Sequence, residues 1–171
     1  MSNFACWMMG AAAALGAVVP AGAAVLGPHA ADCARGGSRP AMLVRVDGLK
    51  TRTGMLRVQS YGDPATFFDK GAYLERVQVA VPRSGPVEVC MALPRAGTYA
   101  VSVRHDADSN GKPDRGRDGG GFSGNPNVSL LDVVFKRKPS PSQVQVRVSG
   151  VTVVPVTLNY LQGASVGPIG G

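Results

Sequence analysis

Short segments in which apolar and polar residues alternate run through most of this chain, and residues 42–46 and 77–81 are two clear examples. Because successive side chains of a strand point to opposite faces, this pattern predicts strands with one face in a core. No segment shows the sustained apolar period of about 3.6 residues that an amphipathic helix needs. The sequence therefore predicts an all-β fold.

Turn-forming clusters separate the alternating segments at near-regular spacing, the clearest being Pro-Arg-Ser-Gly-Pro at 82–86. Strands this short and this regularly punctuated favour a single antiparallel two-sheet β-sandwich of about seven to eight strands, and a closed barrel is the alternative. The basic, Pro/Ser-rich segment 136–142 is predicted to be a turn. The expected strands lie at 42–46, 56–58, 77–81, 87–91, 99–103, 131–135, 144–148 and 154–160.

The N-terminal segment has the pattern of a secretory signal peptide. The first 31 residues contain no Lys, Arg, Asp or Glu, and an apolar run at 10–19 is followed by Ala-Gly-Ala at 21–23. The residues before the run also lack Lys and Arg, so a disordered Ala/Gly tail is the alternative. We expect an exported protein with a signal peptide at 1–23, a flexible N-terminal arm at 24–40, a β-sandwich domain at 41–162 and a loose C-terminal tail at 163–171. No later segment is long enough for a transmembrane anchor.

Two cysteines remain after signal cleavage, because Cys6 would leave with the signal peptide. An even pair in an oxidising compartment predicts a disulfide between Cys33 and Cys90. Closing a loop of that length stabilises a fold by roughly 4 kcal/mol in the chain-entropy model. A lipid anchor at Cys33 is the alternative, but Asp32 stands where a small residue would be expected.

The chain carries 18 Lys and Arg against 11 Asp and Glu, a formal net charge of +7. Most basic residues are scattered singly along the predicted strands, and one cluster lies at 136–138. Nucleic-acid binders combine a basic stripe with aromatic residues for stacking, and aromatics form only 6% of this chain. The charge therefore indicates solubility and loose attraction to anionic envelope surfaces rather than nucleic-acid binding.

The long polar, Gly-rich stretch 104–127 is the one interval that cannot easily be strand. Its acidic residues follow the spacing of a calcium loop of the EF-hand type, in which alternate side chains converge on one point. Gly111 stands at relative position 6, where the loop turns sharply. The candidate ligands at relative positions 1, 3, 5, 7 and 9 are Asp106, Asp108, Asn110, the backbone carbonyl of Lys112, and Asp114.

The same stretch departs from a complete calcium loop at relative position 12, where Arg117 replaces the bidentate acid. Unless Asp118 or a water molecule completes the site, Ca²⁺ affinity would be weak, in the range of about 0.1 to 1 mM. The alternative is a bare turn in which Asp and Asn cap their own backbone and Gly111 takes a positive φ. Both interpretations stay open at this point.

His105 is the only histidine inside the predicted domain, since His29 lies in the arm. It shares strand parity with Tyr99 and Val103, so we expect a packed histidine rather than a catalytic base. No Gly-x-Ser-x-Gly element precedes a helix, and zinc is disfavoured because a second domain histidine is missing. The sequence predicts no catalytic residues.

Residues 93–126, LPRAGTYAVSVRHDADSNGKPDRGRDGGGFSGNP, carry a recognisable combination of motifs. A Leu-Pro-x-x-Gly-x-Tyr strand start, an Asp-rich loop and a Gly-Phe-Ser segment together resemble the bacterial exported family called domain of unknown function 2141, over about 42–160. The resemblance implies a transthyretin-like or immunoglobulin-like sandwich in the periplasm or secreted, with no established activity. The Gly-x-Pro-x-Glu-Gly link of that family is replaced here by 115–120, so any ligand supplied by its Glu is missing.

Together these features predict an exported, non-catalytic β-sandwich module that is monomeric and binds or scaffolds an envelope component. A weakly bound Ca²⁺ in the Asp-rich loop would be its only cofactor. One alternative is a small metal-dependent hydrolase that uses Asp106, Asp108 and Asp114. Another is a carbohydrate- or peptide-binding accessory domain, although no exposed aromatic platform can be identified from the sequence.

Overall fold

A computed structural model describes residues 24–34, 37 and 39–169 of the chain. The predicted signal peptide, 1–23, lies outside the described residues. The strands are β1 (Val25–Leu26), β2 (Ala41–Asp47), β3 (Met55–Tyr61), β4 (Glu75–Ala80), β5 (Val87–Ala92), β6 (Gly97–Asp106), β7 (Gly119–Phe122), β8 (Val146–Val148), β9 (Val151–Thr157), β10 (Asn159–Gln162) and β11 (Ser165–Gly167). The helices are a 3₁₀-helix (Ala30–Cys33), α1 (Leu130–Phe135) and α2 (Pro141–Val144).

The strands form two sheets, which confirms the predicted all-β sandwich. The smaller sheet has the order β1-β5-β2-β9, and the larger sheet has the order β11-β10-β7-β6-β3-β4, with β8 paired to β6. Within the described residues there are eleven strands, more than the seven or eight expected, because several short pieces extend the sheets. The β1–β5 and β2–β9 pairs are parallel and the other pairs are antiparallel, so the smaller sheet is mixed.

The core lies between the two sheets and consists of the residues that the alternation pattern predicts to face inward. Val44 and Val89 from the smaller sheet and Val58 and Val101 from the larger sheet are completely buried. Each such side chain contributes roughly 1.5–3 kcal/mol relative to an exposed position. The strand faces were therefore predictable from the period of two.

The predicted disulfide between Cys33 and Cys90 is present and joins the 3₁₀-helix to β5. Next to it, Val25 and Leu26 pair with the edge of β5, and His29 Nε2 lies 2.8 Å from an oxygen of Glu75. Part of the segment predicted to be a flexible arm is therefore regular, because the disulfide holds it beside an open strand edge. Part of the predicted loose tail is likewise a strand, β11, which folds back on β10.

The expected strand at 131–135 is wrong, because these residues form helix α1. Ser129 caps this helix with a capping box: its hydroxyl accepts the N–H of Asp132, and the Asp132 carboxylate accepts the N–H of Ser129. Local capping bonds therefore outweigh the strand-like alternation here. The predicted turn 136–142 and the start of the expected strand at 144 contain a second short helix, α2, with Pro141 in its first turn.

The expectation that 104–127 contains little strand is also wrong, since β7 occupies Gly119–Phe122. Its glycines gave no strand signal, because glycine has low strand propensity. A Cβ on Gly119 would stand 2.4 Å from the Tyr160 ring, and one on Gly121 would stand 2.5 Å from the Thr157 carbonyl oxygen. These two positions face the core at a point where only glycine fits.

A second apolar cluster lies on the outer face of the larger sheet. There, Phe67 from the β3–β4 connection and Val144 of α2 pack with Tyr61 and Ala100. No helix in the described part of the chain has the length and hydropathy that a membrane-spanning helix requires.

Candidate functional site

The Asp-rich loop, defined here as residues 106–118, folds back on its own backbone. The Asp106 carboxylate accepts the N–H groups of Asn110, at 3.2 Å, and of Gly111, at 2.8 Å. The Asn110 side-chain oxygen accepts the N–H of Lys112 at 2.7 Å. Gly111 has a φ of 74°, the left-handed conformation that the loop turn requires. The spacing of the Asp and Asn residues is therefore explained by side-chain hydrogen bonds that stabilise the turn.

The carboxylate of Asp118 lies close to two other carboxylates of this loop. Oxygen atoms of Asp106, Asp108 and Asp118 lie within 4.8 Å of one another. Asp114, which the spacing argument places with them, is not in this group, and its carboxylate accepts the N–H of Gly116 at 2.9 Å. The structure thus brings together two of the predicted acidic ligands and adds the residue that the sequence offered as a replacement for position 12.

Arg104, on the outward face of β6, places a cation against the same oxygen atoms. Its Nη2 lies 2.7 Å from Asp118 Oδ2 and 3.8 Å from Asp106 Oδ2, and it also donates to the carbonyl of Lys112. The carbonyl expected as the position-7 ligand is therefore already bonded. A Ca²⁺ ion would suit these hard oxygen ligands but would compete with the guanidinium for them.

Asp118 is the most constrained carboxylate in the loop, with its side chain 8% exposed. Burial alone would raise its pKa, but the N–H groups of Asp114 and Ala107 and the Arg104 guanidinium outweigh burial and hold the pKa below the usual value. Asp118 is thus ionised at neutral pH. It joins the two ends of the loop to β6.

A cleft of about 580 Å³ lies beside the loop, over β7, and is called the β7 cleft below. Its floor is the glycine strand, and a Cβ on Gly120 would point into it with its nearest neighbour 3.7 Å away. The apolar lining residues are Phe68, Val103, Pro113, Phe122, Val128, Val133, Leu161 and Val166. The charged lining residues are Arg104, Asp114, Arg115, Asp118, Asp132, Lys136, Arg137 and Lys138. This cleft could not be predicted from the sequence, because the glycine residues of its floor give no strand signal.

His105 is completely buried, as its strand parity predicted. One ring nitrogen, Nε2, lies 2.8 Å from the Thr53 carbonyl, which makes Nε2 the donor; Nδ1, 2.7 Å from the Tyr160 hydroxyl, accepts. The Tyr160 hydroxyl also accepts the N–H of Lys50 at 3.2 Å. Burial raises the pKa of Tyr160, so its hydroxyl stays a donor. Both ring nitrogens of His105 are used inside the fold, away from the β7 cleft.

The contacts of Tyr99 explain the Leu-Pro-x-x-Gly-x-Tyr motif at the start of β6. Its hydroxyl donates to the carbonyl of Arg95, four residues upstream, at 2.7 Å. This is the arrangement of a tyrosine corner, which fixes the turn into a sandwich strand. Ser123 of the Gly-Phe-Ser segment is also buried and accepts the N–H of Val101 at 2.9 Å. Both motifs therefore have structural roles.

Fold and site together define a class: a two-sheet β-sandwich with an Asp-rich loop beside a cleft on the outer face of the larger sheet. A family model described as uncharacterized proteins conserved in bacteria, domain of unknown function 2141, matches residues 44–154. The chain belongs to this family, which confirms the resemblance. No curated protein and no solved structure matches the chain.

Proposed function

We propose that the protein is an exported, non-catalytic module of the bacterial envelope that binds an envelope component in the β7 cleft. The cleft is the observation that carries the proposal, because proteins bind small ligands in concave, mostly apolar surfaces of roughly 300–1,000 Å³ with a few polar groups. Its volume, about 580 Å³, falls in that range.

The lining of the β7 cleft indicates the chemistry of its ligand. Phe122, Leu161 and Val166 offer an apolar surface, and Arg115 and Lys136 add positive charge at its rim. This combination fits a ligand with an apolar body and an anionic group.

A non-catalytic role is supported by the bonds that the candidate reactive groups make. His105 is buried with both nitrogens bonded, and the carboxylates of Asp106 and Asp118 are bonded to backbone N–H groups. A hydrolase working from the loop face would need a free base or metal ligand near a substrate. A turnover in a broad hydrolase screen that disappears in Asp108→Asn would overturn this part of the proposal.

Export is supported by the signal-peptide pattern at 1–23 and by the disulfide, which needs an oxidising compartment. The expected result for the full chain expressed in a bacterium is a periplasmic product that begins near Ala24, measured by intact mass. A cytoplasmic product that keeps Met1–Ala23 would contradict it.

The cleft is tested with 8-anilinonaphthalene-1-sulfonate, a fluorescent probe with an apolar body and one anionic group. We expect saturable binding to the wild-type protein and weaker binding to Gly120→Val, whose side chain would occupy part of the cleft floor. The control is Gly150→Val, at a bend where an added Cβ meets nothing within 4 Å. Equal probe binding by wild type and Gly120→Val would contradict a ligand site in the cleft.

A second proposal concerns the Asp-rich loop, which we infer binds Ca²⁺ weakly. The convergence of Asp106, Asp108 and Asp118 within 4.8 Å supports it. Competition with Arg104 and the missing acid at position 12 keep the expected dissociation constant near ~0.1 to 1 mM.

The calcium proposal is tested by the melting temperature of the folded protein in chelator and in millimolar Ca²⁺. With a dissociation constant near 0.1 mM, about 5 mM Ca²⁺ adds about 2 kcal/mol of stability, a shift of several degrees. Asp108→Asn should lose this shift, because Asp108 contributes to the carboxylate group but does not contact Arg104. Asp47→Asn, at an exposed position in β2, should keep it. An unchanged melting temperature in wild type would leave the loop as a turn.

A further inference from the structure

Helix α1 presents large apolar side chains to solvent. Leu131 is 57% exposed, Val134 is 46% exposed and Phe135 is 64% exposed, and in the described part of the chain none of the side chains of this helix is buried. Their spacing of i, i+3 and i+4 places the three on one face of the helix. An exposed apolar face of this kind marks an interaction surface.

Local bonds hold this face in place without core packing. The capping box of Ser129 and Asp132 fixes the start of α1. At its end, Lys136 takes a left-handed conformation, with a φ of 52°, and the N–H of Arg137 bonds to the carbonyl of Asp132. The helix therefore keeps its outward orientation although, among the residues that the structure describes, none buries its apolar face.

Three basic residues follow the apolar face directly: Lys136, Arg137 and Lys138. Lys138 pairs with Asp69, whereas Lys136 and Arg137 form no ion pair among the residues that the structure describes. The Arg137 guanidinium lies 5.4 Å from the centre of the Phe135 ring, so charge and apolar surface are adjacent. The only carboxylate of α1 itself, Asp132, is held by Ser129.

We propose that this surface, the α1 apex (Leu131, Val134, Phe135, Lys136 and Arg137), docks on an anionic lipid bilayer. The apolar face enters the interfacial region, and the two cations contact the lipid phosphates. Charge complementarity selects this occupant, because an apolar patch joined to unpaired cations matches a surface that is apolar below and anionic above. The formal net charge of +7 adds long-range attraction to the same surface. Lys136 and Arg137 also line the β7 cleft, but the inference goes beyond the ligand of that cleft and does not depend on it, because the apolar residues of the apex, Leu131, Val134 and Phe135, lie outside the cleft lining.

The test is sedimentation of the exported protein, purified from the periplasm without residues 1–23, with vesicles of phosphatidylcholine, alone or mixed with about one third phosphatidylglycerol. We expect binding to the anionic vesicles only, weakened by salt. Because each basic residue near an anionic surface contributes about a factor of five, Lys136→Gln with Arg137→Gln should weaken binding by at least about tenfold. Leu131→Ser with Phe135→Ser should weaken it to a similar extent. All four side chains are exposed, so the variants should fold.

Matched controls lie elsewhere on the surface. Lys70→Gln with Arg83→Gln removes the same charge, and Val151→Ser with Val153→Ser removes exposed apolar side chains from β9. Both controls should bind as the wild type does. Equal loss in the controls and the apex variants, or binding unaffected by the apex substitutions, would overturn the proposal, as would a dimer of the wild type that Phe135→Ser converts to a monomer.

A fluorescence readout locates the contact directly, because the chain has one tryptophan, Trp7, in the predicted signal peptide, which the purified protein lacks. In Phe135→Trp, the emission should shift to the blue on anionic vesicles and be quenched by brominated lipid chains. In Val153→Trp it should do neither. Gly120→Val should leave vesicle binding unchanged, which separates this proposal from the ligand site in the cleft.

Discussion

Asp118 receives two backbone N–H groups and one guanidinium, and this single carboxylate connects both ends of the Asp-rich loop. The spacing of the acidic residues predicted that Asp106 and Asp108 lie close together. It could not predict that Arg104 would share their oxygen atoms, because that contact depends on the outward face of β6 and on where the chain returns as β7. The spacing of the acidic residues therefore predicted where the carboxylates cluster, whereas their hydrogen bonds with Arg104 depend on the tertiary fold.

Stability at low pH should depend on Asp118. Its pKa is lowered in the folded state, so its contribution is present above the unfolded value, near 3.9, and is lost as the pH falls through the folded value. Asp118→Asn should cost about 2 kcal/mol at neutral pH, because a hydrogen-bonded charge pair is broken. Melting temperatures from pH 7 to pH 3 should show the gap between wild type and variant closing below about pH 4. A gap that stays constant with pH would contradict this role, and Asp47→Asn should show little gap at any pH.

At the scale of elements, the strands that pack against one another on both sides of the core were predictable, because their inward residues repeat every second position. Two elements were not. The β7 strand carries glycine where other strands carry valine, since its backbone approaches Tyr160 and β9 too closely for a side chain. The sequence of helix α1 alternates like a strand, yet the capping box of Ser129 and Asp132 favours a helix.

The two faces of β7 should respond in opposite ways to the same substitution. In Gly121→Ala the added methyl group meets the Thr157 carbonyl at 2.5 Å, so the sheets must separate locally, at a cost of about 1–3 kcal/mol or more. In Gly120→Ala the methyl group points into the β7 cleft, and we expect a neutral or slightly stabilising effect of about 0.5 kcal/mol. Urea denaturation of both variants measures the difference, and equal stabilities would mean that β7 does not pack as described.

At the scale of the whole molecule, the disulfide joins the N-terminal segment to the centre of the smaller sheet. The two cysteines are 57 positions apart in sequence, and the bond holds β1 against β5. The sequence could predict the pairing from the even count of cysteines after signal cleavage, but not the added strand. That strand has only two residues and no alternation to detect.

Removing the disulfide should lower the free energy of unfolding by about 2–4 kcal/mol. We expect Cys33→Ala with Cys90→Ala to show this loss in urea denaturation. A thiol reductant should produce the same loss in the wild type and none in the double variant. If the reduced and oxidised wild-type proteins unfold at the same urea concentration, the bond does not contribute to stability.

The parallel pairing of β2 with β9 has a further consequence, for the time course of folding. Its register places Ala41 beside Val151 and Asp47 beside Thr157, so β2, which has β5 on one side, finds the neighbour on its other side only when the chain has reached residues 151–157. Bringing such distant residues together costs a large amount of chain entropy before their contacts contribute favourable energy. Pairing of this kind therefore makes folding slow. The smaller sheet cannot be completed on a ribosome that has not yet synthesised β9. Until then one edge of β2 has no strand partner, because its two neighbours in the smaller sheet are β5 and β9.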